Sequence, residues 1–152
     1  MKKDSLNRNS INGLEEKQVF LLFNYLVAYE HSGIAVFKST KKLLEAHPEL
    51  SDLEQAIKPV TCHSSNAREM ESINLNSLNE IYFTINKGNH LLSFLSHLRN
   101  SIAHGYVRGY NGNALITDFA NPKYHPIDFT ARGYIHFEII TKITKILERI
   151  EL

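Results

Sequence analysis

Between Leu75 and Ile102, apolar residues return at the three- and four-residue steps of a helix: Leu75, Leu78, Ile81, Tyr82, Ile85, Leu91, Leu92, Leu95, Leu98 and Ile102. A stripe of this kind constrains the fold, because a helix apolar along one face is stable only when that face is buried against another element. The spacing predicts one long amphipathic helix, capped at Asn74 and bent or split at Lys87-Gly88-Asn89. A second helical pattern runs from Leu14 to about His31, through Val19, Phe20, Leu22, Phe23, Leu26 and Val27, and Ser32-Gly33 breaks it. A third apolar run, Ile34 to Ala46, stops at His47-Pro48, since the residue before proline is pushed out of the helical region. Ser51-Asp52-Leu53-Glu54 has the pattern of a capping box, so a short helix is expected there, limited by Pro59. Residues 59–73 are polar and read as loop. A last helix is expected over Thr130 to Glu151, with Ile139, Ile140, Ile143, Ile146, Leu147 and Ile150 on one face.

The texture changes after Gly105, which stands where a left-handed glycine ends a helix. Tyr106 to Tyr110 and Ala114 to Phe119 flank Asn111-Gly112-Asn113, a β-hairpin signal. Asn121-Pro122 and His125-Pro126 mark a loop. The expected fold is therefore mainly α: a bundle of four to five helices with a β-hairpin inserted before the last helix. Residues 1–13 are polar and rich in asparagine and read as a flexible arm. Residues 14–152 read as a single domain, long enough to bury a core without disulfide or metal.

Composition narrows the partners. The chain has 17 Lys and Arg against 16 Asp and Glu, a formal charge of +1. So small a net charge steers the chain neither to nucleic acid nor to membrane, and any polyanion site must be a local patch. Cys62 is the single cysteine, which fits a reducing compartment. The basic start, Met1-Lys2-Lys3, is followed by polar residues rather than an apolar signal segment. The most apolar stretch, Val19 to Tyr29, contains Asn24 and is too short to span a bilayer. These features predict a cytoplasmic protein with no membrane partner. His31, His47, His63, His90, His97, His125 and His136 lack the spacing of a zinc site, and Cys62-His63 is a weak pair in expected loop. There is no glycine-rich phosphate loop and no serine-nucleophile elbow. No metal or cofactor is expected.

The most informative segment is His97-Leu98-Arg99-Asn100-Ser101-Ile102-Ala103-His104-Gly105-Tyr106. Asn100 and His104 are four apart, so on a helix they share a face, and the amide could orient the imidazole. Arg99 is one step round, with a guanidinium suited to gripping phosphate in a bidentate fork. An imidazole moves protons near neutral pH. The two groups beside one phosphodiester suit RNA cleavage without metal: one moves a proton, the other stabilises charge on the phosphoryl oxygens.

This segment resembles the signature of HEPN domains: Arg, a polar residue that is often Asn, three more residues, then His at a helix end. The longer form, Arg-x4-His-x-Tyr, is matched by Arg99, His104 and Tyr106. The resemblance implies a HEPN-like helical bundle, of which the hairpin after the motif is a departure. It implies a homodimer whose two motif helices share one cleft, with Arg99 as phosphate clamp, His104 as general acid or base and Asn100 as the orienting residue. It further implies an endoribonuclease giving a 2′,3′-cyclic phosphate and a 5′-hydroxyl, used as a toxin or in anti-phage defence, with RNA as partner and a cognate antitoxin or nucleotidyltransferase possible. In one branch the tyrosine of the motif is modified with AMP by such a nucleotidyltransferase, and Tyr106 fits that position. A non-catalytic module that binds RNA, nucleotide or protein is the alternative.

Plainer readings stand beside these. A histidine before glycine is a favourable helix ending by the dipole alone, at about 0.3–1 kcal/mol. Arg99 and Asn100 could be solvated helix residues, and Tyr106 the start of a strand. Strand alternation puts Tyr106, Arg108 and Tyr110 on one face, where they could stack RNA bases or pack on the last helix. His97, seven residues before His104, could assist the site or be an ordinary polar helix residue.

Overall fold

The structure is a computed structural model that describes residues 10–11, 13–36, 40–48, 51–73, 75, 78–85, 90–119 and 129–150. The described residues open with two short paired strands, β1 (Ser10–Ile11) and β2 (Leu14–Glu15). Among the described residues six α-helices follow in the order α1 (Glu16–Ser32), α2 (Thr40–Ala46), α3 (Ser51–Ile57), α4 (Ala67–Ser72), α5 (His90–Ala103) and α6 (Phe137–Glu148). Among them lie five strands: β3 (Thr61–Ser64) before α4, β4 (Glu80–Phe83) before α5, then β5 (Arg108–Tyr110), β6 (Asn113–Phe119) and β7 (Phe129–His136) before α6. These five form one mixed sheet in the order β3-β4-β7-β6-β5, with β3 parallel to β4 and every other pair antiparallel.

The chain is thus an α/β protein and not the mainly α bundle that its periodicity suggests. Three stretches account for the difference. The Leu75–Ile102 stripe is no single helix: Glu80-Ile81-Tyr82-Phe83 is a strand with Ile81 and Phe83 buried, while Leu78 and Ile85 are exposed at 49% and 39%. The stripe had counted residues that share no face. The expected cap at Asn74 and bend at Lys87-Gly88-Asn89 lie outside the described residues. Residues 59–73 hold β3 and α4 rather than loop. The last helix begins only at Phe137, because Phe129–His136 alternates Ala131, Gly133 and Ile135 into the core with Arg132, Tyr134 and His136 on the other face. That is period two, not 3.6. Gly133 is required at its position, since a Cβ there would run into the carbonyl oxygen of Glu80 and the Cα of Ile81 on the paired strand.

Other expectations hold. Helix α1 ends at Gly33, in the left-handed conformation at φ 68°. Between β5 and β6, Asn111 and Gly112 both have positive φ, 48° and 78°, as a two-residue type I′ hairpin demands. Of the expected N-terminal arm, residues 1–9 and Asn12 lie outside the described residues, as do the loop prolines Pro122 and Pro126. No helix among the described residues is long and apolar enough to cross a membrane.

The core lies between one face of the sheet and helices α1, α5 and α6. Ile81, Phe83, Ala114, Ile116, Ala131 and Ile135 face Tyr25, Phe94, Leu95, Leu98, Ile140 and Ile143 in one continuous apolar cluster. The opposite face of the sheet carries Leu115, Thr117, Phe119, Arg132 and Tyr134, and α4 packs over part of it beside β7. There Arg132 Nη1 donates to the Met70 carbonyl at 2.8 Å.

Candidate functional site

Helix α5 is the inner helix of the fold. Leu91 through Leu98 are all buried, and so is Ser101. Tyr25 of α1 donates its hydroxyl to the Leu95 carbonyl at 2.8 Å, and Thr117 of β6 donates its backbone N–H to Ser101 Oγ at 3.1 Å. The helix is therefore fastened on both sides, and its last turn, which carries Arg99, Asn100 and His104, is set rigidly against the sheet.

The helix stops in a double hydrogen bond. Tyr106 N–H donates to the Ser101 carbonyl at 2.8 Å and Gly105 N–H to the Ile102 carbonyl at 3.1 Å. With Gly105 at φ 73° this is a Schellman ending, and it makes His104 the cap residue. The local rule that predicts Gly105 as a helix stop also aims His104 outward: its side chain is exposed, and its ring stacks on Tyr106 at 5.9 Å between centroids.

Arg99 points toward α1. Its Nε donates to Glu30 Oε1 at 2.9 Å and its Nη1 to Asn100 Oδ1 at 3.3 Å. The Asn100 amide in turn donates to Asp118 Oδ2 at 3.4 Å. The Asn100 side chain therefore joins Arg99 to Asp118, and none of its hydrogen bonds among the described residues runs to the His104 ring; the link to His104 is the backbone bond from His104 N–H to the Asn100 carbonyl at 3.0 Å.

Asp118 is the centre of this arrangement. It is buried on β6, takes the Phe119 N–H on Oδ1 at 3.0 Å, and faces His97 Nδ1 with Oδ2 at 2.9 Å. The other ring nitrogen of His97 meets the Thr84 carbonyl at 2.7 Å. His97 is buried and cannot touch a substrate. It positions the network from below. The sequence reading missed Asp118 and Glu30 altogether. For Asp118 a signal existed: an acidic residue in register with Ala114 and Ile116, hence on the core-facing side of a strand. For Glu30, one of several charges on a helix, none did.

Beyond His104 the open sheet face forms a groove of about 800 Å³, lined by Tyr106, Arg108, Thr117, Phe119, Phe129, Arg132 and Tyr134 among others. Its aromatic rings run on from the histidine: Tyr106 meets Phe119 edge-on at 5.1 Å, Phe119 stacks on Phe129 at 5.1 Å, and the Arg132 guanidinium lies 4.8 Å from the centre of the Phe129 ring. Tyr106 and Arg108 thus line one groove, as the strand alternation expects. Tyr110, exposed, packs on Tyr134 of β7, the stretch read from sequence as helix. Among the described residues no three His, Cys, Asp or Glu side chains converge to hold a metal ion.

A shallow apolar surface lies on the other side of the α5 end. Phe20, Phe23 and Val27 of α1 are exposed at 60%, 59% and 41%. A small groove lined by Leu14, Val19, Phe23, Leu26, Ile102 and Val107 leads from them to Gly105. No family model, no curated protein and no solved structure matches the chain.

Proposed function

We propose that the chain is a metal-independent endoribonuclease that carries a HEPN-type pair, Arg99 and His104, on an α/β scaffold. The observation that supports it best is the placing of His104: exposed on the cap of a rigidly held helix, stacked on Tyr106 at the edge of a groove with aromatic and cationic walls. An imidazole there is within reach of solvent and of a bound strand, while Arg99 stands on the preceding turn of the same helix end.

In the reaction, a base takes the proton of a ribose 2′-hydroxyl, the 2′-oxygen attacks the adjacent phosphorus in line, and the 5′-oxygen leaves with a proton from an acid. The products are a 2′,3′-cyclic phosphate and a 5′-hydroxyl. Arg99 stabilises charge on the non-bridging oxygens, and His104 moves a proton. One histidine cannot serve both ends of a single in-line step, so we assign the second proton transfer to His104 of a second copy. The apolar face of α1 beside this helix end supports a homodimer of that kind, because a contiguous exposed apolar patch marks an interaction surface. The reading places the protein in the cytoplasm, as a toxin or anti-phage effector, with RNA as substrate. Tyr106, half-buried against His104, is where AMP addition by a nucleotidyltransferase would silence it.

A second reading, a module that holds RNA without cutting it, is favoured by one feature: Glu30 and Asn100 already occupy two of the Arg99 donors. One assay separates the two. Purified protein is incubated with RNA in EDTA, beside His104→Ala and Arg99→Ala. The nuclease reading expects cleavage by wild type and a loss of about 10²-fold or more in each variant. Intact RNA with wild type, or equal cleavage by both variants, overturns it.

A further inference from the structure

We propose that the groove on the open sheet face is the substrate-recognition site, and that it takes unpaired RNA, with bases stacked on its rings and backbone phosphates held by Arg108 and Arg132. This rests on the ribonuclease reading for the identity of the substrate, but the groove makes its own case.

Its lining is apolar and cationic, with the aliphatic side chains of Ile73, Leu75 and Leu115 beside the rings and arginines. Tyr106, Phe119, Phe129 and Tyr134 supply aromatic surface, Arg108 and Arg132 supply positive charge, and no acidic side chain lines it among the described residues. In a chain whose net charge is only +1, this is the local patch that a polyanion needs. Rings with cations between them suit single strands, because every base offers a face for stacking and every phosphate a charge. A paired helix would hide its bases, and its backbone would find two arginines where a duplex-binding surface needs a spread of cations. A volume of about 800 Å³ is also in the range of a pocket rather than a flat docking face.

The side chains are already arranged for this use. Arg132 is fixed by its bond to the Met70 carbonyl and by the Phe129 ring beneath it, and a guanidinium has five N–H donors, so others remain for a phosphate. Arg108, at the rim on β5, is exposed and has no acidic partner among the described residues. Phe119 and Phe129 stack on each other, with Tyr106 edge-on to the first and Arg132 over the second, so the rings form one continuous wall along which bases can lie. At the other end, Tyr106 touches His104. A strand laid along the rings would bring about two or three bases onto the sheet and leave the next phosphodiester beside the imidazole. The groove would then decide which RNA is cut: loops, bulges and ends rather than stems.

The test uses the full chain and a short fluorescein-labelled 2′-O-methyl oligoribonucleotide, which cannot be cleaved, either single-stranded or annealed to its complement. Fluorescence anisotropy across a salt series reads binding. Single strands are expected to bind at least about tenfold tighter than the duplex. Arg108→Gln weakens binding and lowers the salt slope by about 0.7, the value for one phosphate of a single strand. Tyr134→Leu weakens binding about tenfold and leaves the slope unchanged. Thermal melts establish that both variants are folded, and Lys142→Ala on α6 serves as a remote control. Equal or tighter binding of the duplex, or wild-type affinity in both groove variants, overturns the proposal. Cleavage is scored separately on unmodified RNA. A wild type that binds through the groove without cutting sinks the nuclease and leaves this site standing; a wild type that cuts, with Arg108→Gln and Tyr134→Leu cutting equally well, does the reverse.

Discussion

His97 Nδ1 lies 2.9 Å from Asp118 Oδ2, and both side chains are sealed from solvent, at 1% and 5% exposure. The opposite ring nitrogen faces the Thr84 carbonyl at 2.7 Å. A carboxylate and a carbonyl both accept, so the His97 ring is held between two acceptors in the protein interior. Removing one partner of a buried hydrogen-bonded pair leaves the other unsatisfied and costs about 1–3 kcal/mol. Asp118→Ala is therefore expected to lower the unfolding free energy by that amount, read from urea denaturation at unchanged slope. The double change His97→Leu with Asp118→Leu should recover most of it, since apolar packing often replaces a buried pair without loss. A loss below about 1 kcal/mol in the single variant would show that Asp118 is not part of the folded network.

That pair also marks the limit of what the sequence discloses. The features read correctly are local ones. Asn111-Gly112 and Gly105 need positive φ, and only a few residue types tolerate it, so the letters themselves report the turns. Helix α1 was legible because its apolar residues match one period over many turns. The errors arise where two periods compete over a short stretch. Ile81 is strand-spaced with Phe83 and is also part of a helix-like stripe with Leu78, Tyr82 and Ile85, and length could not decide between the two periods. Thr130 to His136 runs straight into a strongly amphipathic helix whose pattern spilled backward over the strand. The site divides in the same way. Arg99, Asn100 and His104 lie in one helix end and were visible as a motif. Asp118 and Glu30 reach that end from 18 and 69 residues away, and pairings at that distance are set by the fold rather than by spacing.

Arg99 separates function from stability. Its bond to Glu30 joins side chains that are 37% and 57% exposed, and a pair so open to water contributes about 0–1 kcal/mol. Arg99→Ala should leave the thermal melt within that margin while cleavage of RNA falls about 10²-fold or more. Glu30→Gln is expected to act in the opposite sense. It frees the guanidinium for phosphate and tightens RNA binding, most visibly at low salt. If Arg99→Ala keeps full cleavage, the arginine is only a tether between α1 and α5.

Cys62 offers a pH-dependent reading of the fold. It lies partly buried on β3, and burial pushes its thiol up to about 11. The thiolate is the reactive form, so alkylation by iodoacetamide at pH 8 should be far slower in native protein than in urea, and should accelerate as pH approaches 11. The sign for stability follows. Above the ordinary thiol range the unfolded chain has lost its proton while the folded chain keeps it. Folding then binds a proton, and the contribution, full below that range, is lost as pH rises through about 11. Equal alkylation rates in native and urea-unfolded protein at pH 8 would contradict the burial.

The proposed homodimer rests on α1. Phe20, Phe23 and Val27 follow one another at three- and four-residue steps on an exposed face, and Glu30, one step further, holds Arg99. A second copy covering this face would remove from water the exposed 60%, 59% and 41% of Phe20, Phe23 and Val27, about half of the 1.5–3 kcal/mol that complete burial of each is worth, and would bring a second helix end beside the first. Phe23→Asp puts a charge in the middle of that patch. Because the Phe23 side chain is exposed at 59%, the substitution should leave the protomer folded by circular dichroism. It should shift sedimentation from dimer to monomer and reduce cleavage about 10²-fold or more, as expected when one of two proton-transferring groups is withdrawn. Binding of single-stranded 2′-O-methyl RNA should persist, since the sheet groove lies within one protomer. A wild-type chain that sediments as a monomer and still cuts RNA would remove the need for a second copy, and both proton transfers would then have to be found within one chain.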